Sequence, residues 1–206
     1  MAQAKADKSR ETRDTLLDAA QAVLTEHGYS GLSTRRVAEA AGMPMSQIRY
    51  HFGSKEGMIL ALYEAMDTAL LERQQSLFEE ESRSLSQKWD RACDYLEQDL
   101  ASGYVRILQE LIAAGWSDAV IRDRVCQGID GWYVLLTRLA TEAEKQFGPF
   151  PPFEPGDIAA LIGAAFVGAE SQILLGRDSD AAPHRRALRR FGSVLRQLEE
   201  NSHRGG

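Results

Sequence analysis

The sequence predicts an all-α fold, with a three-helix head carrying a helix-turn-helix and a C-terminal helical bundle, about nine helices in all. Three observations predict it. Apolar residues recur three and four apart along almost the whole chain. No segment alternates apolar and polar residues for the length of a strand. The strongest breakers, Gly42 and the prolines of GPFPPFEPGD, fall between periodic stretches.

Leu16, Leu17, Ala20, Val23 and Leu24 stripe a first amphipathic helix that ends near Gly28. Ser33 caps a short helix carrying Val37, Ala38 and Ala41, and Gly42 breaks it. Ile48 and Phe52 give the inward face of the next short helix. This is helix-turn-helix spacing, and it leaves the second helix free to enter a major groove. Pro44 can open that helix because its missing N–H lies among the orphan donors, but it offers no side-chain cap.

Ser54 caps a long fourth helix from residue 55 to about residue 76, striped by Ile59, Leu62, Tyr63, Met66 and Leu70. Lys55 stands at its start, where the helix dipole prefers acids; a phosphate held by the helix end and the lysine explains the choice. The polar segment FEEESRSLSQK resets the pattern. Trp89, Ala92, Leu96 and Leu100 mark a fifth helix, and Ile107, Leu108, Leu111 and Ile112 a sixth. Ser117 is placed to cap a seventh, striped by Ile121, Val125, Ile129, Trp132, Leu136, Leu139 and Ala143. An almost wholly apolar eighth helix runs to about Leu175 and Gly176. A ninth follows Pro183 with Leu188, Phe191, Leu195 and Leu198, and the tail is expected to fray from Asn201.

The eighth helix carries Ala159, Ala160, Ala164, Ala165 and Ala169 with Gly163 and Gly168, so another helix can approach closely. A helix apolar on more than one face is buried on more than one face. It is either the centre of a monomeric bundle or a surface packed both inward and against a second copy.

The chain has 206 residues, 44% hydrophobic and 26% charged, with a net charge of -6. Through residue 57 there are eight basic and seven acidic residues, so the acidic excess belongs to the rest. A near-neutral head on an acidic body is compatible with DNA, because local field matters more than total charge. Cys93 and Cys126 alone make no disulfide framework and fit a reducing compartment. The apolar run at 158–169 is too short to span a bilayer and is followed by Glu170, so a cytoplasmic protein with no membrane partner is expected. The histidines His27, His51, His184 and His203 are scattered, and no metal site or cofactor is expected. No nucleophile–base set, P-loop or dinucleotide fingerprint appears, which argues against an enzyme.

Residues 10 to 66 carry a dense signature. TLLDAAQAVLTEHGYSGLSTRRVAEAAGM and QIRYHFGSKEGMILALYEAM resemble the TetR family of bacterial transcriptional regulators. Gly28, Tyr29, Ser33, Thr34, Ala38, Ala41, Gly42, Ile48, Tyr50, His51, Phe52, Ser54, Lys55 and Glu56 fit its pattern. Pro44 to Gln47 depart from the usual entry to the recognition helix, and Arg49 stands where an aromatic is usual. The resemblance implies a dimer that loses operator affinity when a small molecule enters a pocket among helices four to eight. A DNA-binding domain is expected at residues 1–53 and a ligand-binding and dimerisation domain at 54–206; residues 1–9 are expected as a flexible arm, and Lys5, Lys8 and Arg10 make a basic stretch that either reaches along the duplex or is a solubilising tail.

In this frame the DNA-contact candidates are Ser33, Thr34, Arg35, Met45, Ser46, Gln47, Arg49, Tyr50, His51 and Lys55. Arg49 can pair with guanine O6 and N7, or make one more phosphate contact. Gln47 can read adenine and Met45 can meet a thymine methyl. Tyr50 and Lys55 suit phosphates, and Ser33, Thr34 and Arg35 suit the backbone across the groove. The alternative for His51 is that it completes the core beside Phe52.

For the ligand the candidates are Trp89, Cys93, Tyr104, Trp116, Trp132, Tyr133, Phe166 and Glu170. The competing reading is that these aromatics are core. The expected partners are double-stranded operator DNA, a small apolar or aromatic effector, and a second copy through residues 157–200. The function expected is a ligand-responsive repressor; the alternative is an effector-independent or activating regulator.

Overall fold

The computed structural model describes the backbone of residues 2–180 and 183–204, and all side chains in these segments except those at 2, 4, 5, 203 and 204. Met1 and the Lys5 side chain of the expected arm lie outside the described residues. Nine helices occur among the described residues. They are α1 (Ala2–Gly31), α2 (Thr34–Ala41), α3 (Met45–Phe52), α4 (Lys55–Phe78), α5 (Leu85–Ser102), α6 (Tyr104–Gly115), α7 (Ala119–Phe147), α8 (Pro155–Leu174) and α9 (His184–Arg204). The only bridge of β type among them joins Phe150 and Phe153.

Compactness divides the chain into two units. One comprises Met1–Thr68 and Asp99–Val125, the other Ala69–Gln98 and Cys126–Gly206. The division expected at 53/54 concerns which residues face DNA, and compactness does not test it.

In the first unit α1 packs on α2 and α6, and α2 on α3. The expected stripe is buried: Leu16, Ala20, Leu24, Leu32, Val37, Ile48, Met58 and Leu62, joined by Val105, Ile107 and Leu111 of α6. Each of these side chains other than Ala20 contributes about 1.5–3 kcal/mol by leaving water. The Thr25 hydroxyl of α1 donates to the Ser102 carbonyl at 3.2 Å. Residues 2–9, expected as an arm, are helical. No glycine or proline interrupts the chain before Gly28, and alanine, lysine and arginine favour helix there. The helical dihedrals break at Gly28 (φ 69°), as the sequence suggests.

In the second unit an antiparallel charge ladder registers α9 on α5. Arg185 pairs with Glu97, Arg189 with Asp94 and Arg196 with Asp90, at 2.8, 2.8 and 2.9 Å. These pairs are half-exposed and individually weak; their role is register. Below them the Trp89 indole N–H donates to the Leu188 carbonyl at 2.7 Å. At the end of the ladder the buried Glu199 carboxylate accepts from the Ser86 N–H at 2.8 Å and from the Ser86 and Ser84 hydroxyls at 2.7 and 3.2 Å. An α9 carboxylate thus serves the orphan donors at the start of α5. Buried Lys88 is held by Glu142 at 3.0 Å.

Three boundary expectations need correction. Asp118, not Ser117, opens α7: its carboxylate accepts from the N–H groups of Val120 and Ile121 at 2.8 and 3.2 Å. An ionised side chain competes better for those donors than a hydroxyl. Helix α9 continues through Asn201 to Arg204, and the Ser202 hydroxyl reaches the Gln146 carbonyl at 3.4 Å. The apolar run is part of a 20-residue helix, long and apolar enough by length and composition to cross a membrane. Its residues Ala159, Gly163, Phe166, Ala169 and Ile173 are buried within the protein, as in a core helix.

Glu199→Ala should lower unfolding stability by about 1–3 kcal/mol, because the Ser86 N–H is left buried without its acceptor. Urea denaturation of the full chain checks this.

Candidate nucleic-acid interface

The turn between α2 and α3 sets the geometry of the head. The Ser33 hydroxyl caps α2 by accepting from the Arg36 N–H at 3.3 Å. At the far end Gly42 adopts φ 64°, and its N–H returns to the helix carbonyls. That left-handed position suits glycine and ends the helix without a side-chain penalty. Pro44 then opens α3 with no side-chain cap, as its chemistry requires.

In α3 only Ile48 is fully buried, and that decides which face is free. Met45, Ser46, Arg49 and Tyr50 are exposed, with Tyr50 at 73%; Gln47 is half-buried. The Arg49 carbonyl accepts from the Gly53 N–H at 3.0 Å, while its guanidinium makes no ion pair or hydrogen bond with another described residue. His51 is half-buried between its neighbours, edge-on to Tyr50 at 4.9 Å and tilted on Phe52 at 6.2 Å. Both readings of His51, core and contact, meet in that position.

Helix α4 starts close by. The Ser54 hydroxyl accepts from the Gly57 N–H at 3.0 Å. The Glu56 carboxyl is held below the ordinary carboxylate range by its own backbone N–H, then by the Ser54 hydroxyl, with Lys55 adding a smaller pull. A side chain at Gly57 would collide with the Phe52 carbonyl oxygen, so the α3–α4 junction requires glycine there. Lys55 forms no salt bridge among the described residues. Of the α2 candidates, Ser33 and Thr34 are half-buried at the helix start. Arg35 is exposed, but its Nε already binds Glu39 at 2.8 Å, a pair that any phosphate must displace.

A groove of about 380 Å³ lies beside α3, lined by Lys8, Ser9, Thr12, Met43, Pro44, Gln47, Tyr50 and His51. Ser9 and Thr12 escaped the sequence analysis. The signal was available: continuing the Leu16 stripe backwards by three and four residues reaches Thr12, Ser9 and Lys8.

The ligand candidates do not converge on one place. Trp89, Cys93, Trp132, Tyr133, Phe166 and Glu170 belong to the second unit, and Tyr104 and Trp116 to the first. Trp89 meets Phe166 edge-on at 5.5 Å, and Phe166 meets Trp132 at 5.7 Å. The Trp132 ring stacks beside Tyr133 at 6.3 Å. The buried Cys93 thiol is pushed up to about 11 by burial. Glu170 is buried, and Trp116 is 80% exposed at the end of α6. A separate pocket of about 200 Å³ in the second unit has Gln75, Phe78, Leu135, Arg138 and Leu139 among its walls. It contains none of the candidates, and Phe78 is the one aromatic among its lining residues.

Residues 16–62 match the family model described as bacterial regulatory proteins, tetR family. This segment, under a quarter of the chain, is homologous to the head of TetR-family regulators. The chain is 42% identical over 62 residues to the transcriptional repressor AcnR of Corynebacterium glutamicum, covering 30% of this chain and 33% of that one. It is 28% identical over 129 residues to the regulator CymR of Pseudomonas putida, covering 61% and 62%. The match to AcnR therefore spans only about a third of that relative's length. The fold extends further. A transcriptional regulator of Saccharomonospora viridis, solved in complex with choline, superposes with TM-score 0.75 at 21% identity, over 88% of this chain and 95% of that one. The TetR-type head is thus conspicuous in sequence, while the remaining helices share only the fold.

Gly57→Val should destabilise the protein by about 1–3 kcal/mol, since helix backbone cannot move away from Phe52 as a flexible side chain could. Thermal unfolding with Gly156→Ala, which meets no atom, as control measures it.

Proposed function

We propose that this protein is a cytoplasmic, dimeric transcriptional repressor that binds two-fold operator DNA through α3 and leaves it when a small molecule binds. The reading rests above all on α3: Ile48 anchors the helix while Met45, Ser46, Arg49 and Tyr50 face solvent, in the head that carries the TetR-type match. Residues 1–53 read the operator, and residues 54–206 dimerise and respond to effector. Arg49 reads a base edge, Gln47 and Met45 flank it, and Tyr50, His51, Ser33, Thr34, Arg35 and Lys55 hold the backbone.

The dimer surface proposed is α8 with α9, residues 157–200. Small residues Ala160, Ala164, Ala165 and Gly168 and the larger Leu161, Phe191 and Val194 are exposed there. Two copies pairing through this surface form a four-helix bundle and set two heads against successive major grooves, about 34–36 Å apart. Leu161→Glu tests this better than a charge at Phe191, whose ring also rests on Trp89 at 4.6 Å. The variant should sediment as a folded monomer; an unchanged dimer would exclude this surface.

Ligand response is proposed through the aromatic region around Trp89, Trp132 and Phe166, with α4 as the link, because it runs unbroken from Lys55 to Phe78. An apolar or aromatic effector suits those walls. The alternative, an effector-independent or activating regulator, draws on the direct ring-to-ring packing of the same three residues.

Mobility shifts on the DNA upstream of the protein's own coding sequence test the core reading. Lys55→Ala should weaken binding on all sequences and lower the salt slope by about one unit. Arg49→Ala should cost about 1–3 kcal/mol of discrimination at one position per half-site. A change in salt slope alone for Arg49→Ala would make it a phosphate contact.

A further inference from the structure

One wall of the groove beside α3 comes from outside the segment that matches the TetR model. Lys8, Ser9 and Thr12 belong to α1, ahead of residue 16, and they line about 380 Å³ together with Gln47, Tyr50 and His51 of α3. All six side chains carry an N–H or O–H, and no carboxylate is among the lining residues. Asp7 and Glu11 stand on the same helix but do not line the groove. Lys8 is exposed and forms no ion pair among the described residues. The Thr12 hydroxyl donates to the Lys8 carbonyl at 2.9 Å, so Thr12 shapes the groove and leaves the other side chains to serve a partner.

The α1 wall is held in place. Helical dihedrals continue from Ala2 until Gly28, and α1 packs on α2. Arg13, five residues after Lys8, sets its guanidinium over the Phe52 ring at 5.6 Å, which ties the start of α1 to the end of α3. Lys8 is therefore carried on a positioned helix, and less chain is left to be ordered when a partner arrives than with a free arm.

We propose that this groove holds a backbone phosphate of duplex DNA, with Lys8 supplying the charge and Ser9, Gln47 and Tyr50 the hydrogen bonds. The start of α1 is then a second wall of the interface, added by a part of this chain that the family model does not reach. Donors, a cation and no carboxylate select an anion. Exposure selects which anion: small-molecule sites bury most of their ligand, whereas Lys8 is exposed and Tyr50 is 73% exposed here, as suits a strand passing over the surface. Such a contact fixes the register of α3 and reads no base. The inference rests on the DNA-binding reading of α3.

Binding of the full chain to duplex DNA across a salt series tests the groove with a charge-matched pair. Lys8→Ala and Arg10→Ala each remove one cation from the same stretch of α1, but the exposed Arg10 does not line the groove. Lys8→Ala should weaken binding about three- to tenfold near 0.1 M salt and lower the salt slope by about 0.9, on specific and unrelated duplexes alike. Arg10→Ala should change the slope by less than about half of that. Ser9→Phe fills the groove without altering charge, and should weaken binding at least about threefold with the slope also reduced. Equal effects of Lys8→Ala and Arg10→Ala would mean a solubilising or generally basic tail and would overturn the proposal. Full affinity in folded Ser9→Phe would overturn it as well. If Ser9→Phe does not fold, the Lys8 and Arg10 pair still decides. A parent protein that binds no duplex would remove the DNA-binding reading and this contact together. A parent that binds while the paired variants behave alike would remove the contact only.

Discussion

The burial of Ile48 is the constraint on which the functional surface depends. Helix α3 has eight residues, too few to be stable alone, so tertiary packing must hold it. With Ile48 as its one fully buried side chain, the helix is fixed by a single apolar anchor, by its junctions at Pro44 and Gly53, and by packing against α2. Rotation about that anchor would turn Arg49 and Tyr50 away from the face they share with Met45. Gly42 and Gly57 protect it from both sides: one lets α2 end in a left-handed residue, the other lets α4 start against the Phe52 carbonyl. Local chain chemistry thus determines which face of α3 is left to solvent.

The second unit follows a different logic. Its helices register through polar groups: Arg185, Arg189 and Arg196 on α9 find acids of α5, and Glu199 occupies the α5 start. Exposed ion pairs add little stability singly, but a ladder of three fixes the sliding of one helix on another. With the charged face of α9 used inward, Phe191 and Val194 remain outside beside the small residues of α8. The unit carries 17 acidic against 13 basic residues and an exposed apolar strip at once, and the strip suits association with a copy of itself.

What the sequence made legible follows from period and capping. Helix existence, the αL glycine at Gly42 and the inward Ile48 all depend on local rules, and all stand in the structure. Boundaries decided by competition between neighbouring side chains were less legible: Asp118 takes the cap expected of Ser117 because its carboxylate is the stronger acceptor. The start of α1 reaches Ala2 because nothing before Gly28 breaks it. Tertiary placement was least legible. Trp116 and Tyr104 share aromatic chemistry with Trp89, yet one is exposed and the other stacks on Tyr63.

Hydroxyl-radical footprinting of the parent protein on the DNA upstream of its coding sequence tests the central claim most directly. The account predicts two related protected patches, separated by about one helical turn of 10–10.5 base pairs or a multiple of it, and lost together when Ile48 is replaced by serine. Folded protein that leaves the DNA uniformly cleaved, or a single patch unaffected by that substitution, would contradict it.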